Sequence, residues 1–215
     1  MSLAWGNSRL TRLLGLACAG GTGDNSNMPM RTFLSLDLDE VIRDRLLAAA
    51  AAVGSGGAKM KWVDDQQLHV TLKFLGDVPD ERINEVCSIA SEVAEGVESF
   101  EFHVQGMTCV PPGGSQLRMI WAGVDDPTGR MGVLHERLDE ALSGLGLKEE
   151  DRAFTPHITL ARVRFVKDAS VLRAAAQRYL HEAFGTQHAE ELVAYSSKLT
   201  SEGPIYTPLA KAKLG

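Results

Sequence analysis

The sequence predicts an α+β fold built from antiparallel sheets. Strand and helix patterns alternate at short intervals along the 215 residues, but hairpins interrupt the uniform order that a doubly wound parallel sheet requires. A tetrapeptide also recurs, as His-Val-Thr-Leu at residues 69–72 and as His-Ile-Thr-Leu at residues 157–160. Each copy lies between two predicted helices, which indicates an internal structural duplication.

The N-terminal stretch differs from the rest of the chain. Residues 1–29 combine a short apolar run with a Gly- and Asn-rich segment, and we predict a disordered extension there. A strand is predicted over residues 31–38. Asp39 then caps a helix to about Val53, which the Gly cluster at residues 54–57 ends.

The later elements are predicted in the same way, from apolar spacing and turn residues. They are a short edge segment at 61–63, a strand over 68–75, a helix opened by Pro79, a hairpin of strands 100–110 and 117–124, a helix from Asp126 with Met131, Leu134, Leu138 and Leu142 as its apolar stripe, a helix from Asp168 to about His181, and strands near 191–199 and 205–209. We therefore expect a single folded domain over residues 30–215.

Alternation along the two motif strands sorts their side chains by face. In the first strand His69, Thr71 and Lys73 share one face, while the apolar side chains between them share the other. His157 and Thr159 share a face in the same way. Each motif thus sets an imidazole beside a hydroxyl, and both groups can reach one small anion such as a phosphate.

Two such strands facing each other predict an acid–base centre. One His on either side of a phosphorus atom can accept a proton from the entering nucleophile, while the other gives a proton to the departing oxygen. The Thr hydroxyls would hold the non-bridging oxygens. This chemistry requires no metal and no cofactor.

Composition limits the classes of function. The apolar share of 44% and the charged share of 23% are ordinary for a globular protein. The net charge of −6 argues against a long electrostatic track along nucleic acid, but a small anionic end group still fits. Basic residues near the motifs could supply a local positive pocket; they are Lys73, Arg152, Arg162 and Arg164.

The sequence also carries expectations about location. No stretch approaches the roughly 20 apolar residues of a membrane span, so no membrane partner is expected. The cysteines, Cys18, Cys87 and Cys109, are odd in number and lack metal-ligand spacing, which favours a reducing cytoplasm over a disulfide framework. Nothing in the chain indicates an obligate protein partner.

Longer flanks around the motifs carry a family resemblance. The chain resembles the two-histidine phosphoesterases, and within them the bacterial and archaeal RNA 2′,3′-cyclic phosphodiesterases, long called RNA 2′-5′ ligases. The resemblance runs from Arg31 to the C-terminus. Its carriers are Arg31-Thr32-Phe33, Trp62-Val63, Leu68 to Gly76, Ile120 to Val124, Pro156 to Arg162, and Tyr206 to Leu209.

The resemblance implies two pseudo-symmetric lobes, each an antiparallel sheet with helices on its outer side, around a central groove. It also implies hydrolysis of a terminal ribose 2′,3′-cyclic phosphate on RNA to a 2′-phosphate, with weak reversible 2′-5′ joining. His69 would be the general acid that protonates O3′, and His157 the base that activates water. Thr71, Thr159 and Arg162 would bind the phosphate.

Arg162 fits that role only if its strand is irregular. Strict alternation from His157 turns Arg162 away from the groove, so a bulge or a strand end is required there. Further candidates for substrate binding are Lys73, Phe33, Arg152 and Tyr206. Phe33 is equally compatible with the core and with a platform for base stacking.

Two other functions remain open from the sequence. One is a phosphodiesterase that acts on a small cyclic nucleotide or a 2′-5′ linked oligonucleotide. The other is a nucleotide-binding module without turnover, which the two intact motifs disfavour because binding alone needs no pair of proton-transfer groups. The expected partners are therefore RNA 3′ ends or small nucleotides that bear a cyclic phosphate.

Overall fold

The computed structural model describes residues 29–114, 116–147, 153–201 and 203–215. All but the last residue of the predicted extension, 1–29, lie outside these ranges. Among the described residues no helix has the length and apolar character to cross a membrane. The described chain forms β1 (Met30–Asp37), α1 (Glu40–Val53), β2 (Lys59–Trp62), β3 (His69–Val78), α2 (Ile83–Glu95), β4 (Phe100–Val110), β5 (Met119–Asp125), α3 (Arg130–Ser143), β6 (His157–Phe165), α4 (Ala169–Gln177), β7 (Ala183–Ala189), β8 (Glu191–Leu199) and β9 (Pro204–Lys213).

The strands join into one antiparallel sheet in the order β7-β4-β5-β6-β3-β1-β8-β9, and β2 pairs with β6. The two halves of this sheet, on either side of the β3–β6 junction, are related by pseudo-twofold symmetry. Helices α2 and α3 pack on the β3-β1-β8-β9 half, whereas α1 and α4 pack on the β6-β5-β4-β7 half. The predicted α+β fold with two pseudo-symmetric lobes is confirmed, and the sheets of the lobes are continuous with each other.

Apolar spacing predicted the helices well. The predicted stripe of α3 is buried in full, and the Asp126 carboxylate accepts a hydrogen bond from the backbone N–H of Met131 at 2.6 Å. Helix α4 ends earlier than predicted, and the strand β7 was missed. Its residues carry a weak strand pattern, and pairing with β4 imposes the extended conformation. Gly185 of β7 lies where a Cβ atom would come within 2.8 Å of Ile42.

Both motif strands contain a bulge at the same place. Opposite β1, Thr71 pairs with Ser35 and Lys73 with Leu34, so Leu72 is the extra residue. Opposite β5, Thr159 pairs with Trp121 and Ala161 with Ile120, so Leu160 is the extra residue. Each bulge reverses the alternation for the residues that follow.

This reversal corrects the prediction for Lys73. Its side chain lies on the helix side of the sheet, is 3% exposed, and donates a hydrogen bond to Asp139 of α3. Lys73 therefore does not face the groove with Thr71, contrary to the alternation predicted from the sequence. The ion pair also lowers the pKa of Asp139, chiefly through that hydrogen bond.

We predict that Asp139→Asn destabilises the protein more than Lys73→Met. The first change leaves a buried ammonium without its counter-charge, whereas the second replaces the pair by an apolar chain of similar length. Because the Asp139 side chain is 45% exposed, water screens the pair, and we expect a loss of about 1–2 kcal/mol for Asp139→Asn. Urea unfolding measures both, with Glu136→Gln on the same helix as the control. Equal stability of the Asp139 variant and the control would contradict this assignment.

Candidate active site

His69 begins β3 with both ring nitrogens engaged. Its Nδ1–H donates to the carbonyl of Gln67 at 2.7 Å, and its Nε2 lies 3.0 Å from Oγ1 of Thr71. Gln67 is itself held by a hydrogen bond from its Nε2 to the carbonyl of Pro204 on β9, at 2.6 Å. The local turn thus fixes the imidazole and presents Nε2 as the reacting nitrogen.

His157 begins β6 in the corresponding way. Its Nδ1–H donates to the carbonyl of Thr155 at 2.8 Å, again two residues earlier in the chain. The ring of Trp121 stacks on it with a centroid distance of 3.7 Å and an interplanar angle of 22°. This contact makes Trp121 a wall of the groove rather than a core residue alone.

Phe33 is the aromatic partner of His69, and of its two predicted alternatives the structure fits burial in the core. Its ring centroid lies 4.8 Å from that of His69 and 5.5 Å from that of Tyr195. Tyr206 meets Phe33 edge-on at 4.9 Å and His69 at 5.5 Å. Because Phe33 is only 3% exposed, it has no open face for a base. It orients the His69 ring instead, while the half-buried Tyr206 does border the site.

The junction of β3 with β6 brings the two motifs together. Val70 lies opposite Ile158 in an antiparallel pair. The same register sets His69 beside Thr159 and Thr71 beside His157. Both imidazoles and both hydroxyls therefore converge on one face of the sheet.

The Arg162 side chain returns to the groove face because of the Leu160 bulge. The bulge that its predicted position requires is thus present, and Arg162 Nη1 lies 4.0 Å from the Met119 sulfur. Its positive charge acts on both His69 and Tyr206. Arg152, the remaining predicted residue, lies outside the described residues.

The surroundings of His69 favour its neutral form. Burial is the main cause that lowers its pKa below the usual 6.5, and the nearby Arg162 and His157 side chains act electrostatically in the same direction. The Gln67 carbonyl and the Asp37 carboxylate oppose the shift only in part. The imidazole is therefore mostly uncharged at neutral pH in the unliganded protein.

Asp37 and Tyr195 lie beside the His69 cluster, and the sequence prediction named neither of them. The Tyr195 hydroxyl donates to the Asp37 carboxylate, at 3.1 Å and 3.0 Å from its two oxygens. Burial and this carboxylate raise the pKa of Tyr195. Alternation along β1 could have found Asp37, because it shares a face with Phe33. The contact with Tyr195, 158 residues away, has no signal in the sequence.

The two halves differ at this point. Asp37 is the cross-strand partner of His69, whereas Gly123 is the cross-strand partner of His157. Within the strand pairs of the described residues, a carboxylate thus lies opposite His69 and a glycine lies opposite His157.

Comparison with known proteins decides the family. The sequence-family model of the LigT-like phosphoesterases matches residues 36–121 and 123–206. Each of these stretches contains one copy of the His-x-Thr motif. The chain belongs to the LigT-like phosphoesterase family.

Curated members of the family are similar over most of their length. The chain is 31% identical over 187 residues to the RNA 2′,3′-cyclic phosphodiesterase of Methanothermobacter thermautotrophicus, a match that covers 87% of this chain and 100% of that protein. It is 33% identical over 184 residues to the RNA 2′,3′-cyclic phosphodiesterase of Thermotoga maritima, with 84% and 93% covered.

Solved structures of other proteins have the same fold. A Thermus thermophilus protein superposes with a TM-score of 0.74 at 28% identity, over 86% of this chain and 98% of that one. Escherichia coli LigT complexed with 3′-AMP superposes with a TM-score of 0.69 at 23% identity, over the same shares of the two chains.

We predict that the His69 imidazole of this LigT-like phosphoesterase titrates below pH 6.5, as measured by NMR of its ring resonances. In Asp37→Asn the pKa falls further, because a charge that stabilises the imidazolium is removed while an acceptor for Tyr195 remains. Asp39→Asn is the control: it removes a carboxylate that does not contact this cluster, so the pKa of His69 should stay unchanged. A His69 pKa above 6.5, or equal shifts in the two variants, would refute the electrostatic assignment.

Proposed function

We propose that this chain hydrolyses terminal ribose 2′,3′-cyclic phosphates on RNA 3′ ends and leaves a 2′-phosphate. The observation that carries the proposal is the convergence of both His-x-Thr pairs on one face of the β3–β6 junction. Its similarity to the RNA 2′,3′-cyclic phosphodiesterases of Methanothermobacter thermautotrophicus and Thermotoga maritima supports it. We further propose the cytoplasm as the site of action, because the sequence carries no disulfide pattern. Reversible 2′-5′ joining stays a prediction.

In this proposal the two histidines divide the proton transfers. His157 accepts a proton from the attacking water through Nε2, and His69 gives the proton on its Nε2 to the departing O3′. Thr71, Thr159 and Arg162 hold the non-bridging oxygens, where their hydrogen bonds stabilise the charge that shifts in the transition state. Both Nδ1–H groups are tied to backbone carbonyls, so the reacting nitrogens are already oriented.

The lowered pKa of His69 means that this residue can act as the acid only if it becomes protonated in the complex. An acid must be protonated, yet burial keeps His69 mostly neutral in the unliganded protein. The bound cyclic phosphate is an anion, and its charge next to the ring raises the pKa of His69 in the complex. Substrate binding would thus favour protonation of His69, and this proton is the one that the departing O3′ receives.

A phosphodiesterase specific for small cyclic nucleotides is the second candidate. The same catalytic pair would serve either substrate, so the two functions differ only in what binds beyond the phosphate. Comparison of an oligoribonucleotide with a mononucleotide, each bearing a 2′,3′-cyclic phosphate, separates them. Binding of both without turnover would instead identify a nucleotide-binding module.

We predict that the purified protein converts an oligoribonucleotide ending in a 2′,3′-cyclic phosphate to the 2′-phosphate with chelator present. His69→Ala and His157→Ala should each reduce kcat by about 10²–10⁴-fold, since each removes one proton-transfer group. His103→Ala is the control, because His103 lies on β4 and contacts Thr186 instead. Product carrying a 3′-phosphate, or near-normal turnover by either motif variant, would overturn the proposal.

The pH profile of kcat/KM assigns the roles. Because the acid must be protonated, activity falls as pH rises through the lowered pKa of His69 if this residue is the acid. Asp37→Asn lowers that pKa further, so it should move the alkaline limb to lower pH. Movement of the acidic limb instead would show that His69 is the base.

A further inference from the structure

A cavity of about 550 Å³ opens at the Arg31 end of β1, beyond the catalytic pair. Two arginines, an aromatic ring and one carboxylate contribute to its lining, together with residues 145–147. These four side chains belong to Arg31, Arg82, Phe74 and Asp77. None of these side chains has a part in the proton transfers. Its lining carries a net positive charge in a protein whose overall charge is −6.

Arg31 lies over the Phe74 ring in this cavity, and we call this pair the platform. The guanidinium carbon of Arg31 lies 4.5 Å from the centroid of the Phe74 ring. Arg31 is exposed, so the outer face of its guanidinium is open to a ligand. The Leu72 bulge turns the Phe74 side chain to the groove side of the sheet. Arg162 has the corresponding position after the Leu160 bulge in the other half.

The platform is next to the catalytic cluster. Arg31 and Phe33 are two residues apart on one face of β1, a separation of roughly 7 Å, and Phe33 stacks on His69. The charge of Arg31 also opposes the effect of burial, which raises the pKa of Tyr206, the edge-on neighbour of His69. One nucleotide can span this separation.

The opposite end of β1 has the opposite charge. A second cavity, of about 340 Å³, is lined there by four carboxylates, with Lys211 as its lysine: Asp37, Asp39, Glu190 and Glu191. Such a lining repels a phosphodiester, whereas the Arg31 end attracts one. Charge therefore selects the direction in which an RNA strand leaves the catalytic pair.

We infer that the Arg31 cavity binds the nucleotide that precedes the cyclic phosphate at an RNA end. Arg31 contacts its phosphodiester and stacks under its base on Phe74. Arg82 donates through Nη1 to the carbonyl of Leu145 at 2.8 Å, and its other N–H groups can reach the same phosphodiester. The inference rests on the proposed function and extends it, because a mononucleotide leaves this cavity empty.

The test compares Arg31→Met with wild type on two substrates, adenosine 2′,3′-cyclic phosphate and an oligoadenylate ending in the same group. Methionine keeps an apolar chain on Phe74 but removes the guanidinium. We expect kcat/KM for the oligonucleotide to fall roughly tenfold, with at most about twofold loss on the mononucleotide. The slope of log KM against log salt for the oligonucleotide should also fall, by about 0.7 for one lost phosphate contact.

Arg178→Met is the matched control, since Arg178 is an exposed arginine at the end of α4 whose Nε donates to the nearby Ala175 carbonyl. Equal losses on both substrates, or the same loss in the control, would overturn the inference while wild-type turnover upholds the proposed function. If the wild type hydrolyses neither substrate, the proposed function fails and this inference fails with it.

Discussion

The pairing of β3 with β6 is the constraint on which the candidate site depends. Val70 and Ile158 face each other at this junction, and both are fully buried. Burial of each side chain contributes about 1.5–3 kcal/mol, so the register there is strongly determined. A slip of either strand by one residue would turn its imidazole into the core, away from the other. The polar chemistry of the groove is thus set by apolar packing on the opposite face.

Pseudo-symmetry builds the site from two similar halves, but the chemistry depends on their differences. Both imidazoles donate from Nδ1 to a carbonyl two residues earlier. Only His69 has a cross-strand carboxylate, that of Asp37, where the second half has Gly123. Trp121 stacks on His157, whereas Phe33 stacks on His69. Two copies of one tetrapeptide can therefore titrate differently and take different roles.

The sequence predicted what depends on local pattern and missed what depends on tertiary contact. The recurring motif located both histidines, and apolar spacing located the helices. Strict alternation placed Lys73 wrongly, because the bulge in β3 arises from pairing with β1. The same reasoning required a bulge before Arg162, and one is present. The Asp37–Tyr195 hydrogen bond joins distant segments, so no local pattern signals it.

The stereochemical course at phosphorus tests most directly whether the two histidines act from opposite sides of one phosphate. A ribonucleoside 2′,3′-cyclic phosphorothioate of known configuration is hydrolysed in oxygen-18 water, and the configuration of the 2′-phosphorothioate product is determined. Direct attack by a water that His157 activates, opposite the oxygen that His69 protonates, predicts inversion. Retention of configuration would require two successive displacements and would contradict this arrangement.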